Sequence, residues 1–314
     1  MPLYKAVRQR GILMFYLILA LMIFPFKDIS NKVYGKNFKS STEGLLLHNT
    51  IAMYAAVVAL VAVNLISKGR LPLQSGTVMI LTAVFGISYL LVNAFMAGAM
   101  ACGPMGLTAI VCGVGGLLSG TLYGIFFCGD KVTVFNATGA VLMTIAIILI
   151  TPHEKKGEHK AGTPTLHWFF LAFISFLINA ELCIIKKAAV SKLGADSSAF
   201  MLWGFIFAAV FGTLIIAGYL IKGERFGQYL GRRVDSLKFI PVAAVMGLCA
   251  SMANTTQMLS LAYLPAIVVY PVSSVVPSIV DGVISVLVFK DQKMTLKIYI
   301  AYAICFAGVI MINF

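Results

Sequence analysis

Four charged residues embedded in apolar sequence are the ones best placed to do chemistry in this 314-residue chain. Asp281 lies within 266–289, a run with no other charge. Lys27 and Asp28 come about sixteen residues into an apolar stretch that opens near residue 11, and Glu181 sits among apolar residues at 177–185. A carboxylate at the centre of a hydrocarbon layer costs about 2.5–3.5 kcal/mol on insertion scales. It must therefore face a cavity or a partner. Desolvation also disfavours the anion, which suits a group that couples to protons or binds a cation. The alternative role for Asp281 is that of a neutral, hydrogen-bonded residue in a helix contact.

Uncharged polar residues accompany these charges: Tyr89, Asn93, Asn179, Asn254, Gln257, Tyr263 and Tyr270. In hydrocarbon each needs a partner, so they either bond across helices or line a polar cavity. With Lys27, Asp28, Glu181 and Asp281 they form the candidate solute or ion pathway. The four charges sum to −2 if all ionise, which favours a cationic or zwitterionic solute, or proton antiport. Pro271 and Pro277 interrupt the run that holds Asp281. Such breaks free carbonyls beside transporter sites, and they also kink helices for packing.

Other chemistries lack their residues. His48, His153, His159 and His167 do not have metal-ligand spacing, and no H-E-x-x-H or Walker motif occurs. The glycines at 113, 115 and 116 follow no strand, so they are not read as a phosphate cradle. Six cysteines are scattered through the apolar runs without a C-x-x-C pair and read as buried free thiols. The expectation is a chain with no cofactor, no metal and no catalytic residues, hence not an enzyme.

The elements that must position these residues are membrane helices. Hydrophobic residues make up 60% of the chain and charged ones 11%, with mean hydropathy +0.96; soluble domains carry about 25% charged residues. Apolar runs without period-2 alternation can leave water only as helices. Ten such runs are expected, near 11–31, 44–67, 76–99, 104–127, 132–151, 165–187, 198–221, 238–260, 266–289 and 295–313. Lys5, Arg8 and Arg10 precede the first run as in a signal peptide, but no small-residue cleavage site follows, so it is expected to remain as a helix. The formal charge of +13 is carried at run ends and in short loops, which points to a bilayer and away from nucleic acid. The segment 223–238 spaces Phe226, Tyr229, Leu230, Val234 and Leu237 at helical intervals among Arg225, Arg232 and Arg233. It reads as a basic interfacial helix or a solvated loop. Of the Lys and Arg residues, fifteen fall in loops 1–2, 5–6, 7–8 and 9–10, and nine on the opposite side. That count favours both termini outside.

The chain also repeats itself. Ala83, Val84, Gly86 and Asn93 recur 161 residues later as Ala244, Val245, Gly247 and Asn254. Ala101, Pro104 and Asp130 recur as Ala262, Pro265 and Asp291. Duplicated membrane halves place a site between the copies. At the same offset the small-residue stripe Gly116, Gly120 and Gly124, expected to serve helix packing, becomes Pro277, Asp281 and Ser285. Asp281 should therefore face protein. Between the first and sixth runs, an offset of 154 sets Lys27 on Glu181 and Lys32 on Lys186. A Lys27–Glu181 ion pair would relieve both charges; snorkelling of Lys27 to the interface is the alternative.

The ends of the two halves read alike: Met100-Ala-Cys-Gly-Pro-Met-Gly-Leu-Thr-Ala109, a helix and Cys-Gly-Asp130-Lys-Val-Thr133, against Leu261-Ala-Tyr-Leu-Pro-Ala-Ile-Val-Val-Tyr270, a helix and Phe-Lys-Asp291-Gln-Lys-Met-Thr295. This resembles the EamA-type repeat of the drug/metabolite transporter superfamily, with Asp130 and Asp291 in place of the family's usual Glu. The resemblance implies an all-α integral membrane protein of ten transmembrane helices, built as two five-helix repeats over 1–153 and 154–314. The odd number of helices per half makes the repeats inverted. It also implies a secondary transporter of small metabolites, amino acids or drug-like solutes in the plasma membrane, with cytoplasmic termini, opposite to the charge count. The expected partners are a small-molecule solute, the lipid bilayer, and protons or another coupling ion, with no nucleic acid; a homodimer is compatible with the reading. The competing readings are a flippase for amphiphilic or lipid-linked solutes, and a non-transporting membrane receptor or scaffold.

Overall fold

The computed structural model describes residues 17–18, 21–37, 42–103, 105–150, 166–221, 240–290 and 296–312. The expectations for Pro104, Asp291, His153, His159 and the basic segment 223–238 lie outside them. Among the described residues there are ten α-helices and no strand. They are α1 (Pro25–Asn37), α2 (Thr42–Lys68), α3 (Gly76–Cys102), α4 (Met105–Cys128), α5 (Val134–Ile150), α6 (Leu166–Leu193), α7 (Ser197–Ile221), α8 (Ile240–Tyr263), α9 (Ala266–Ile284) and α10 (Leu296–Ile312). The helix α9 continues as a π-helical turn, Ser285–Phe289. Seven segments, within α2, α3, α4, α6, α7, α8 and α9, are long and apolar enough to cross a membrane. The helices α1, α5 and α10 are shorter, with 13, 17 and 17 residues. The five cysteines at 102, 112, 128, 183 and 249 are free thiols.

One boundary differs from hydropathy. The first run was expected to end near residue 31, yet α1 carries on to Asn37. Its polar residues are satisfied internally. The Ser30 hydroxyl donates to the Val242 carbonyl at 3.1 Å, and the Lys32 ammonium donates to the carbonyls of Met100 and Gly103 at 2.7 and 2.8 Å. A helix end whose polar groups find partners inside the bundle need not stop where the apolar residues stop.

The helix ends elsewhere follow local chemistry. Gly129 and Gly194 adopt φ of +69° and +60°, the left-handed conformation that ends α4 and α6 and that side chains resist. Asp196 caps α7, accepting the Ala199 N–H at 2.9 Å, and also pairs with Lys68 at the end of α2, 2.8 Å away. Burial alone pushes the Asp196 carboxyl up. The hydrogen bonds from Lys68, Ala199 and Ser198 outweigh that and hold it below the usual carboxylate range.

Small residues set the helix spacing. The helix α3 packs on α6 and α7, α2 on α7 and α8, α4 on α6 and α9, and α5 on α10. At Gly86 an added Cβ would collide with the Gly204 carbonyl and the Ala208 amide of α7. At Gly247, its counterpart 161 residues on, it would collide with the Ala52 carbonyl and the Ala56 amide of α2. The contacted positions are themselves matched, since 52 to 204 and 56 to 208 are both 152 residues. Each copy of the repeated glycine therefore makes the same backbone-to-backbone approach. Gly86→Val and Gly247→Val are each expected to destabilise by about 1–3 kcal/mol through overpacking against backbone that cannot move aside. Thermal unfolding in detergent measures this; near-native midpoints for both would refute it.

The expected packing stripe behaves the same way. A Cβ on Gly116 would press on Cys183 and Asn179 of α6, one on Gly120 on the Tyr270 ring, and one on Gly124 on Ala266. The stripe is the seam of α4 against α6 and α9.

Candidate functional site

The seams leave one polar space in the middle of the bundle. A cavity with about 90 Å³ of room for water-sized groups opens between α1, α3, α4, α6, α8 and α9, enough for several waters or part of a small solute. Its walls carry Lys27 and Asp28 from α1, Tyr89 and Met96 from α3, and Cys112 and Gly113 from α4. From the second half come Asn179, Cys183 and Lys186 of α6, Asn254 and Gln257 of α8, and Tyr270, Ser273, Ser274, Ser278 and Asp281 of α9.

Two charged groups occupy it. In the first, Lys27 pairs with Asp28, Nζ to Oδ1 3.2 Å, and lies 4.4 Å from the centroid of the Phe24 ring. The Asp28 and Asp281 carboxyls are neighbours. Asp281 is wholly buried, and neither of its oxygens has a protein donor in hydrogen-bonding geometry. Two adjacent carboxyls repel when both are ionised, and one proton or cation between them relieves it. Nearby, Pro277 cannot donate to the Ser273 carbonyl as a helical N–H would, and the Ser273 hydroxyl likewise has no partner.

In the second group, the buried Lys186 ammonium donates to the Gln257 side-chain oxygen and to Asn254 Oδ1, the latter at 3.3 Å. Asn254 in turn donates to the Tyr89 hydroxyl at 3.0 Å. No carboxylate among the described residues pairs with Lys186. Tyr270, stacked over Gly120, donates its hydroxyl to the Cys183 carbonyl at 2.5 Å.

At one end of this bundle Asp130 ties three helices together. It pairs with Lys187 of α6 at 2.9 Å, accepts the Ala266 N–H at the start of α9 at 2.5 Å, and donates its own N–H to the Gly124 carbonyl of α4. Neighbouring lysines thus part ways: Lys186 faces the cavity and Lys187 faces Asp130.

No protein-family model and no curated protein matches this chain. The fold itself has relatives. One solved crystal structure superposes with a TM-score of 0.65, covering 97% of this chain and 96% of its own, at 12% sequence identity. The likeness runs end to end, so the whole helical arrangement is shared. At that identity it speaks for fold alone.

Of the expected pathway residues, the structure brings Lys27, Asp28, Tyr89, Asn179, Asn254, Gln257, Tyr270 and Asp281 to the cavity wall. Three stand elsewhere. Asn93 is buried behind the wall, donating to the Tyr89 carbonyl at 2.7 Å. Tyr263 is 55% exposed at the end of α8. Glu181 is exposed, and the Ser88 hydroxyl donates to it at 3.3 Å. The expected Lys27–Glu181 ion pair is replaced by Lys27–Asp28. On α6 the cavity face is the stripe 179, 182, 183 and 186, and a residue two positions from both 179 and 183 points about 200° away from it. Lys186 was absent from the expected set, as were the three serines of α9.

Proposed function

We propose that this protein is a secondary transporter that moves a small polar solute across a membrane by alternating access, using two inverted five-helix halves. The observation that carries the reading is the cavity, walled by the first, third and fourth helices of each half and holding Lys27, Asp28, Lys186 and Asp281. Ionisable groups buried among membrane-spanning helices mark solute or ion pathways. Several contacts support the inverted repeat. The glycine approaches at 86 and 247 are matched, as described. Met96, 3.9 Å from Lys27, and Gln257, the partner of Lys186, are also 161 residues apart. Finally, Ser274 donates to the carbonyl of Gly113 at 3.0 Å, and these too are the same position of the two copies. Equivalent positions touch where a two-fold axis passes. By this register the twin of Lys27 is Lys186, not Glu181.

The Asp28–Asp281 pair supplies a place for a coupling proton or cation. The family resemblance adds the plasma membrane and a metabolite, amino acid or drug-like solute. The test is reconstitution in proteoliposomes exposed to a metabolite mixture, with and without a pH gradient, followed by mass spectrometry of the lumen. At least one polar solute is expected to accumulate above protein-free vesicles. A protein that is folded and correctly inserted but moves none under either condition is not a transporter of this kind.

A further inference from the structure

The two charged groups of the cavity differ in sign and in depth. The helices α8 and α9 run antiparallel from a two-residue turn, Leu264–Pro265, so depth can be counted from that turn at 1.5 Å per residue. Gln257 lies about 9 Å in and Asn254 about 14 Å in, both measured from Tyr263, while Asp281 lies about 22 Å in from Ala266. Lys186 is held at the Gln257–Asn254 level and has only neutral acceptors around it. At the deeper level Lys27 is already matched by Asp28. Asp281 is then the uncompensated charge there, with both oxygens unpartnered and buried.

The formal charges of the cavity, Lys27, Lys186, Asp28 and Asp281, sum to zero but are separated along its length. A singly charged solute would satisfy one end and leave the other unpaired in a low-dielectric interior, which is costly. A solute carrying both signs satisfies both. An α-amino acid does not reach, because its ammonium and carboxylate sit on adjacent carbons while the two protein groups are roughly 10 Å apart in depth. The wall between them is narrow and uncharged, with Ala109, Cys112, Gly113 and Cys183, and suits a methylene chain.

Resting on the transporter reading above, we infer that the solute is a zwitterion with widely separated charges, its carboxylate at Lys186 and Gln257 and its ammonium at Asp281 and Asp28. An ω-amino carboxylate is the simplest member of this class.

The purified full-length protein can be titrated with 6-aminohexanoate, hexylamine, hexanoate and glycine, reading affinity by calorimetry, and uptake of labelled 6-aminohexanoate measured in proteoliposomes. Binding of 6-aminohexanoate is expected to be at least about tenfold tighter than that of each of the other three. Lys186→Gln should remove its advantage over hexylamine only, and Asp281→Asn its advantage over hexanoate only. If Lys186→Gln fails to fold, Gln257→Ala reads the same end. Equal affinity for 6-aminohexanoate and hexylamine, hexanoate or glycine in the native protein overturns the inference, as does loss of both preferences together in each variant. Transport of other solutes without 6-aminohexanoate binding defeats this inference and leaves the transporter reading intact. Selective binding without uptake of any solute upholds the site and defeats the transporter reading.

Discussion

Asp281→Asn is expected to lower pH-driven uptake about tenfold or more while leaving the thermal midpoint unchanged or raised. The two effects have one cause. A buried carboxylate beside another carboxylate, without a protein donor, is a cost to the folded state. The amide keeps the shape and removes the charge, so folding gains or is unaffected. The pathway loses the group that would hold a proton or the cationic end of a solute. A structural aspartate gives the opposite pattern, with stability lost and rate preserved in the folded fraction. Uptake at matched protein density, with and without an inward pH gradient, together with unfolding scans, separates the two. Native rates and native pH response in the variant would remove Asp281 from the pathway.

Asp130→Asn or Lys187→Met alone is expected to destabilise by about 3 kcal/mol, the lower end of the range for breaking a buried ion pair. Asp130 is 12% exposed and Lys187 4%, so water screens the pair only slightly. Each single change strands the partner's charge, and Asp130→Asn also weakens the acceptor for the Ala266 N–H. The double variant removes both charges and is expected to recover a good part of the loss. A double-mutant cycle on the unfolding midpoint measures the coupling. Strict additivity of the two losses would show that the pair contributes nothing as a pair.

The elements were largely legible because membrane helices are long and their residues uniformly apolar. The exception, the extension of α1 to Asn37, is polar sequence whose partners come from α3 and α8 and leave no local trace. The site was legible in depth and less so in direction. Hydropathy located Asp281 and Glu181 inside the layer, yet says nothing about azimuth. The missed signal lay in spacing. Tyr270, Ser274, Ser278 and Asp281 form one polar stripe along α9, and Asn179, Cys183 and Lys186 form another along α6. Reading those stripes would have chosen Lys186 over Glu181. Lys186 was obscured by Lys187, since two lysines near the end of an apolar run look like a flank at the interface. Only the packing shows that one turns to the cavity and the other to Asp130. Position along the chain misled as well: the offset of 154 matched lysines with each other at 32 and 186, whereas the contacts with Met96 and Gln257 match 27 with 186.

The matched glycine approaches have a consequence for how such a chain can change over time. Gly86 and Gly247 are held by backbone on the far side of a seam, so neither copy can drift alone without spoiling assembly. The cavity positions are under no such constraint. Gly120 and Asp281, or Met96 and Gln257, occupy corresponding places with unrelated side chains. New selectivity can therefore arise by altering one copy of a polar position while its twin continues to fill space. Evolvability and mechanical integrity are assigned to different residues of the same helices.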